Sequence, residues 1–183
     1  MRKINSIAFL LMLLLVTISS RFIPFPVNFS PITAGVLFAG AYLRNKWLKY
    51  LVPLAFIWLS DVVLNNFIYT EFTDGFTFFY KGSGVTYLAF VGIIFIGSLI
   101  KESNQFSVFL GAFSASFLFF VFSNFGVWLF SGLYSLSYQG LLKCYVLALP
   151  FFKNSIASTF LFSLLLFGFY ELVYKKKSLV SMA

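Results

Sequence analysis

Histidine is missing from this chain, cysteine occurs once, as Cys144, and only five residues are acidic. Without histidine, the common zinc sites and Ser-His or Cys-His catalysis are out of reach. A lone cysteine closes no internal disulfide. Five carboxylates leave little material for acid–base chemistry, so neither an enzyme nor a metal or cofactor site is expected. Charge as a whole is scarce. Asp, Glu, Lys and Arg make up 10% of the residues, against about 25% in soluble domains. Such a chain has too little polar side chain to cover itself in water.

What is present is apolar. Hydrophobic residues make up 61% of the 183, and 28 of them are Phe. Lipid is the solvent that suits such an outer surface. Spans of roughly 20 residues each would let about six helices fill the chain with short connections. The expectation is an all-α integral membrane protein of about six transmembrane helices, forming a single domain over residues 1–183. Net charge is +8, but the basic residues sit at the ends of apolar runs rather than along one stripe. They read as topology signals, and nucleic acid is excluded as a partner; the bilayer is the partner expected.

Six apolar runs can be placed. The first, Ile7 to Ile18, follows Met1-Arg2-Lys3 and reaches spanning length with Ile4 and Phe22. Thr17-Ile18-Ser19-Ser20-Arg21 is a poor cleavage site, so a retained helix is expected rather than a signal peptide. Pro24, Pro26 and Pro31 then forbid helix, and Pro31 suits the first turn of a second helix with Ser30 as its cap. That helix, Ile32 to Leu43, carries Ala34, Gly35, Ala39, Gly40 and Ala41, small residues that let neighbouring backbones approach; it should be central and buried. Further spans run from about Trp47 to Phe67, Val85 to Ile100, Phe106 to Phe130 and Ile156 to Tyr174. The polar segment after the third holds Glu71, Asp74 and Lys81. The stretch from Leu141 to Phe152, with Pro150 inside and Lys153 after it, is short for a span and is expected as a re-entrant or interfacial lid.

With the N-terminus inside, nine basic residues fall on the cytoplasmic side: Arg2, Lys3, Arg44, Lys46, Lys49, Lys101, Lys175, Lys176 and Lys177. Four fall outside: Arg21, Lys81, Lys143 and Lys153. The asymmetry puts both termini in the cytoplasm. Polar residues then gather on the outer side. Asn28 and Ser30 precede the second helix, Asp61, Asn65 and Asn66 end the third, Asn124 and Trp128 end the fifth, Cys144 and Tyr145 lie in the lid, and Asn154 opens the last helix. Ser114, Ser116 and Ser163 read as glue between helices. Asp61 reads either as a ligand or ion contact, or as a partner of Lys153, Arg21 or an asparagine, because a carboxylate in a membrane helix needs a partner or water. Glu171 reads as a solvated ion pair with the triple lysine, and Cys144 more readily as a packing residue than as a nucleophile.

The run from Arg21 to Ala34, with Leu37-Phe-Ala-Gly-Ala41, resembles the start of a bacterial family of integral membrane proteins described as transport proteins. Ser60-Asp61, Ser123-Asn-Phe-Gly-Val-Trp-Leu129, Gly140-Leu-Leu-Lys-Cys-Tyr145 and Ala148-Leu-Pro-Phe-Phe-Lys-Asn154 are similar to the same family. More distantly, the chain resembles the S-components of energy-coupling-factor vitamin transporters, which are six-helix bundles that bind a vitamin near the outer face. The resemblance implies an S-component-like bundle in the bacterial cytoplasmic (inner) membrane. It implies uptake of a small molecule, vitamin-like in class, and a membrane partner subunit. The first helix offers only Ala8 where such proteins present an Ala-x-x-x-Ala docking stripe, which points to a solitary transporter or a different partner. The ligand-binding set expected is Asn28, Ser30, Asp61, Asn65, Asn124, Trp128, Cys144 and Asn154. The rival expectation is a non-transporting scaffold, a subunit of a cell-envelope assembly complex.

Overall fold

A computed structural model describes the backbone of residues 4–72, 75–100 and 104–180, and the side chains of 11–12, 14–71, 75–100 and 104–172. Arg2, Lys3, Asp74 and Lys101 lie outside the described residues, as do the side chains of Ala8, Lys175, Lys176 and Lys177. Six α-helices follow one another: α1 (Ile4–Ser19), α2 (Ile32–Tyr42), α3 (Leu48–Val63), α4 (Ser83–Ser98), α5 (Gln105–Phe130) and α6 (Tyr138–Val180). No strand occurs among the described residues.

Helix α2 is the axis of the bundle. Every residue from Ile32 to Gly40 is buried, and the helix packs on α1, α3, α4, α5 and α6. Its small residues make this possible. A Cβ on Gly40 would strike the backbone carbonyl of Ile94, and one on Gly97 of α4 would strike that of Leu37. The two backbones therefore touch where neither carries a side chain. On α5 the same rule sorts the circumference. Gly111, Ala112, Ala115 and Ser116 face in, while Phe106, Phe109, Phe113 and Phe117 face out. Large apolar residues on the outside and small ones within suit a bundle whose surroundings are hydrocarbon.

Local chemistry sets the helix starts. Ser30 Oγ accepts from the Ile32 amide at 3.3 Å, and Asn45 Oδ1 accepts from Trp47 and Leu48 at 2.9 and 3.1 Å. Asn104 caps α5 by accepting from the Ser107 amide at 3.1 Å. These side chains satisfy amides that a helix leaves without a partner at its first turn.

One expectation needs correction. The six helices expected are present, and among the described residues three helical stretches are long and apolar enough to cross a membrane: Leu48–Ile68, which includes a π-helical turn after α3, Gln105–Phe130 and Tyr138–Leu172. These are the helices of a membrane protein. At 11 residues, α2 rises only about 17 Å, short of a hydrocarbon core of about 30 Å. The stretch from Leu141 to Phe152 is not a separate lid. It forms the opening turns of the 43-residue α6, which runs through Pro150 and past Lys153. Proline removes one amide and crowds the carbonyl four residues back, and contacts with α5 hold the helix together across that point. Tyr145 donates to the Val121 carbonyl at 2.7 Å, and the Phe152 ring lies 4.4 Å from that of Phe120. Further along, Phe160 stacks 4.8 Å from Phe109. The pairs run in opposite order along the two helices, so α5 and α6 form an antiparallel hairpin.

Candidate functional site

Among the described residues the buried charge is Asp61. Its side chain is 6% exposed and meets Arg21, itself 22% exposed, with Nη1 to Oδ1 at 2.5 Å. The other carboxylate oxygen accepts from the Tyr87 hydroxyl at 2.6 Å. Arg21 Nη1 also donates to Ser60 Oγ at 2.6 Å and to the Ile57 carbonyl at 3.4 Å, while Ser60 donates to that same carbonyl at 2.7 Å. Three segments thus meet at one carboxylate: the end of α1, the last turns of α3 and the first turns of α4. A buried ion pair holds its charges only when the remaining lone pairs are also used, and here both oxygens are. Of the partners the sequence offered for Asp61, Arg21 is the one the fold supplies.

Around this cluster lies an aromatic cover. Trp58 precedes Asp61 by one turn on α3, with its ring 6.3 Å from that of Phe79, which in turn lies 6.3 Å from Tyr87. The Trp58 indole N–H is buried and finds no acceptor among the described residues. Burial pushes the Tyr80 phenol above its ordinary value; its bond to Thr86 and the charge of Arg21 oppose the shift, while the charge of Asp61 adds to it. Tyr80 is therefore a neutral hydrogen-bonding group throughout the physiological range.

The π-helical turn Leu64–Ile68 closes with the Tyr69 amide donating to the Leu64 carbonyl at 2.8 Å. Such wide turns re-aim side chains. Here Asn66 clamps the chain returning to α4, donating to the Thr77 carbonyl at 2.8 Å and accepting from the Thr77 amide at 2.7 Å. Asn65, its neighbour, is half-buried and already engaged.

The other expected site residues are scattered along the bundle. Asn28 adopts the left-handed backbone conformation, φ 59°, at the end of the proline loop. Its carbonyl accepts from Ser155 at 3.3 Å, and that of Val27 accepts from Asn154 Nδ2 at 2.9 Å. Asn28 and Asn154 therefore act together, clipping the loop to α6. Asn124 turns back on its own helix, donating to the Phe120 carbonyl at 2.7 Å. Trp128 donates to the Ser135 carbonyl at 3.0 Å and closes the α5–α6 turn. Ser30 serves the α2 start. Cys144, 2% exposed, lies in the α5–α6 seam with its thiol 3.4 Å from the Asn124 carbonyl. A membrane-impermeant maleimide should leave Cys144 unmodified in the folded protein and label it fully after denaturation in SDS. Rapid labelling of the folded protein would show that the seam opens.

Among the described residues no group of three or more metal-ligating side chains comes together. The sequence signals Asp61 and names Arg21 among its partners, but gives no sign of Tyr87, Ser60, Trp58 or Tyr80. A tyrosine in an apolar helix looks like any other aromatic until the fold places a carboxylate beside it. Residues 2–181 match the sequence model of a family of unknown function, DUF6580, and the chain belongs to that family. No curated protein and no solved structure matches it.

Proposed function

We propose that this member of DUF6580 takes up a small polar molecule across the bacterial inner membrane, binding it from the outer side at the Arg21–Asp61–Tyr87 cluster. The observation that carries the reading is the unpaired, buried Trp58 N–H one turn from that cluster. Ionisable groups inside a membrane bundle are costly to keep and mark functional positions, and a donor buried without an acceptor is costly too. A ligand with an acidic or carbonyl group would supply the acceptor for Trp58 and bond the Arg21 guanidinium that Asp61 holds in place. Phe79 and the proline loop are the parts that must move to admit it. Phe79 is 64% exposed, and the loop is held at its far end by the bonds to Asn154 and Ser155 and by Phe25 and Phe29 against the Phe162 ring. The distant resemblance to S-components agrees with a proline loop that leads into a small-residue helix.

Native mass spectrometry of the protein purified from its own host tests this reading. A retained small molecule is expected in the unaltered protein and should be lost on Arg21→Gln. A ligand-free spectrum from fresh membranes, at every detergent condition that keeps the protein folded, would count against uptake. The second reading, a non-transporting scaffold, draws support from Asn66, Asn124 and Asn154, whose side chains already make their bonds within the chain.

The orientation belongs to the same proposal. A reporter enzyme active only outside the cytoplasm should be silent when fused after Lys177 and active when inserted near Gly82. The basis is the nine-to-four division of basic residues. Equal signals at the two sites would place both on one side and remove the outward-facing site.

A further inference from the structure

A cleft of about 430 Å³ opens between the first half of α5 and the second half of α6, away from the Asp61 cluster. Its wall is apolar, with Phe109 and Ala112 on one side and Leu164 on the other, and with Gln105 and Glu171 at its rim. Into it faces Ser163, 1% exposed, whose hydroxyl has no partner among the described residues. The contrast with its neighbours is sharp. Ser116, Ser158 and Thr159 are equally buried, and each donates to a carbonyl three or four residues back, at 2.9, 3.1 and 2.8 Å. A serine in a helix ordinarily does the same. Ser163 does not, and a hydroxyl left dry and unbonded in an apolar wall is destabilising unless something else meets it.

We infer that this cleft is a lateral binding site for an uncharged, lipid-soluble amphiphile, a long-chain alcohol or a carbonyl-bearing lipid, whose polar atom bonds Ser163. The volume lies within the ~300–1,000 Å³ usual for small-molecule sites. The flank around the mouth is apolar: Phe109 is 56% and Leu164 is 72% exposed, so a ligand reaches the cleft through hydrocarbon rather than through water. Among the described residues no basic side chain lines the cleft, and the acidic Glu171 stands at its rim, which disfavours an anionic headgroup and a fatty acid in particular. The site is separate from the Asp61 cluster and stands or falls independently of uptake.

The test uses full-length protein in lipid nanodiscs and a diazirine-bearing dodecanol as probe, with adducts mapped by peptide mass spectrometry. Adducts should concentrate on the peptides that contain Phe109 and Ser163, and unlabelled dodecanol should compete whereas dodecanoate should not. Ser163→Ala leaves room in the cleft but removes the hydrogen bond, so labelling there should fall by about tenfold, the loss of one buried hydrogen bond. The same variant should melt no lower than the unaltered protein, since it deletes an unbonded hydroxyl; a purely structural serine would show the reverse. Ser163→Leu fills the cleft and should abolish site labelling. Labelling spread over all outward-facing residues and unchanged in Ser163→Ala would show only annular lipid and overturn the assignment. So would a stable dimer in which a second copy shields Phe109 and Leu164 whether or not the probe is present.

Discussion

Asp61→Ala should lower unfolding stability in detergent by about 3–5 kcal/mol, because it leaves the Arg21 guanidinium without its buried counter-charge. Tyr87 then points at a void, and the ends of α1, α3 and α4 lose the carboxylate that joins them. Asp61→Asn is milder. The amide oxygen can still accept from Tyr87, so the loss should approach the ~1.5–3 kcal/mol of one charged hydrogen bond. Pairing Asp61→Asn with Arg21→Gln removes both charges and should recover part of the stability lost by either change alone, which is the signature of direct coupling. These results test the ion pair itself. Function is read from the ligand affinity of the Asp61→Asn molecules that remain folded. Under the uptake reading, affinity for the co-purifying molecule falls by about tenfold or more, roughly 1.4 kcal/mol, because freeing Arg21 from its acid disorders the group that meets the ligand. If affinity per folded molecule is unchanged while stability drops, the cluster is a structural latch, and the scaffold reading takes its place.

Much of this architecture is visible in the residues before any coordinates. Three prolines before Ile32, with Ser30 ahead of Pro31, mark the start of α2, and five small residues in eleven mark it as central. The reason is physical: proline lacks an amide, and a helix can be surrounded on all sides only if its own side chains are short. Asp61 announces its need for a partner because a carboxylate among Leu, Ile and Phe has no water to rely on. The sequence is silent on which of several cations turns toward it, since that depends on how α1 ends. The three-residue 3₁₀ turn Ser20–Phe22 carries Arg21 beneath α3, and no periodicity encodes this.

The length of α6 is hidden from the sequence for a different reason. Pro150 and Lys153 are both ordinary stop signals for a membrane helix, and each is overridden by tertiary contact. Pro150 is exposed, while Cys144 and Tyr145 on the inner face keep their bonds to α5. Lys153 is exposed as well, and its long stem lets the ammonium reach away from apolar surroundings. Local signals state what each residue prefers; the α5 surface decides what the segment does. The same limit hid the cleft. Ser163 is one serine among many in the sequence, and only the geometry shows that, among the buried hydroxyls of the described residues, its own is unbonded.

The seam between α2 and α4 is where a single added methyl should do the most damage. At Gly40 and at Gly97 the atom in the way is a backbone carbonyl oxygen of the facing helix, which cannot swing aside as a side-chain tip can. The helices must therefore separate, and α2 has nowhere to go, being packed against α1, α5 and α6 on its other sides. On the α1 side Gly35 is already pressed against Thr17. Gly97→Ala should cost about 1–3 kcal/mol or more as overpacking, and Gly97→Leu should prevent accumulation of folded protein in the membrane. Helix propensity works in the opposite direction, favouring Ala over Gly by ~1 kcal/mol, so the sign of the effect separates packing from propensity. Gly84, in the first turn of the same helix, has open space where its Cβ would stand. Gly84→Ala should be neutral or mildly stabilising and serves as the matched control. Because α4 also carries Tyr87, displacing it at Gly97 should lengthen the Tyr87–Asp61 bond at the other end of the helix. Adding Tyr87→Phe to Gly97→Ala should then cost less than Tyr87→Phe costs alone. Strict additivity of the two would mean that the seam yields locally, by bending α4, and that the position of the Asp61 cluster does not depend on it.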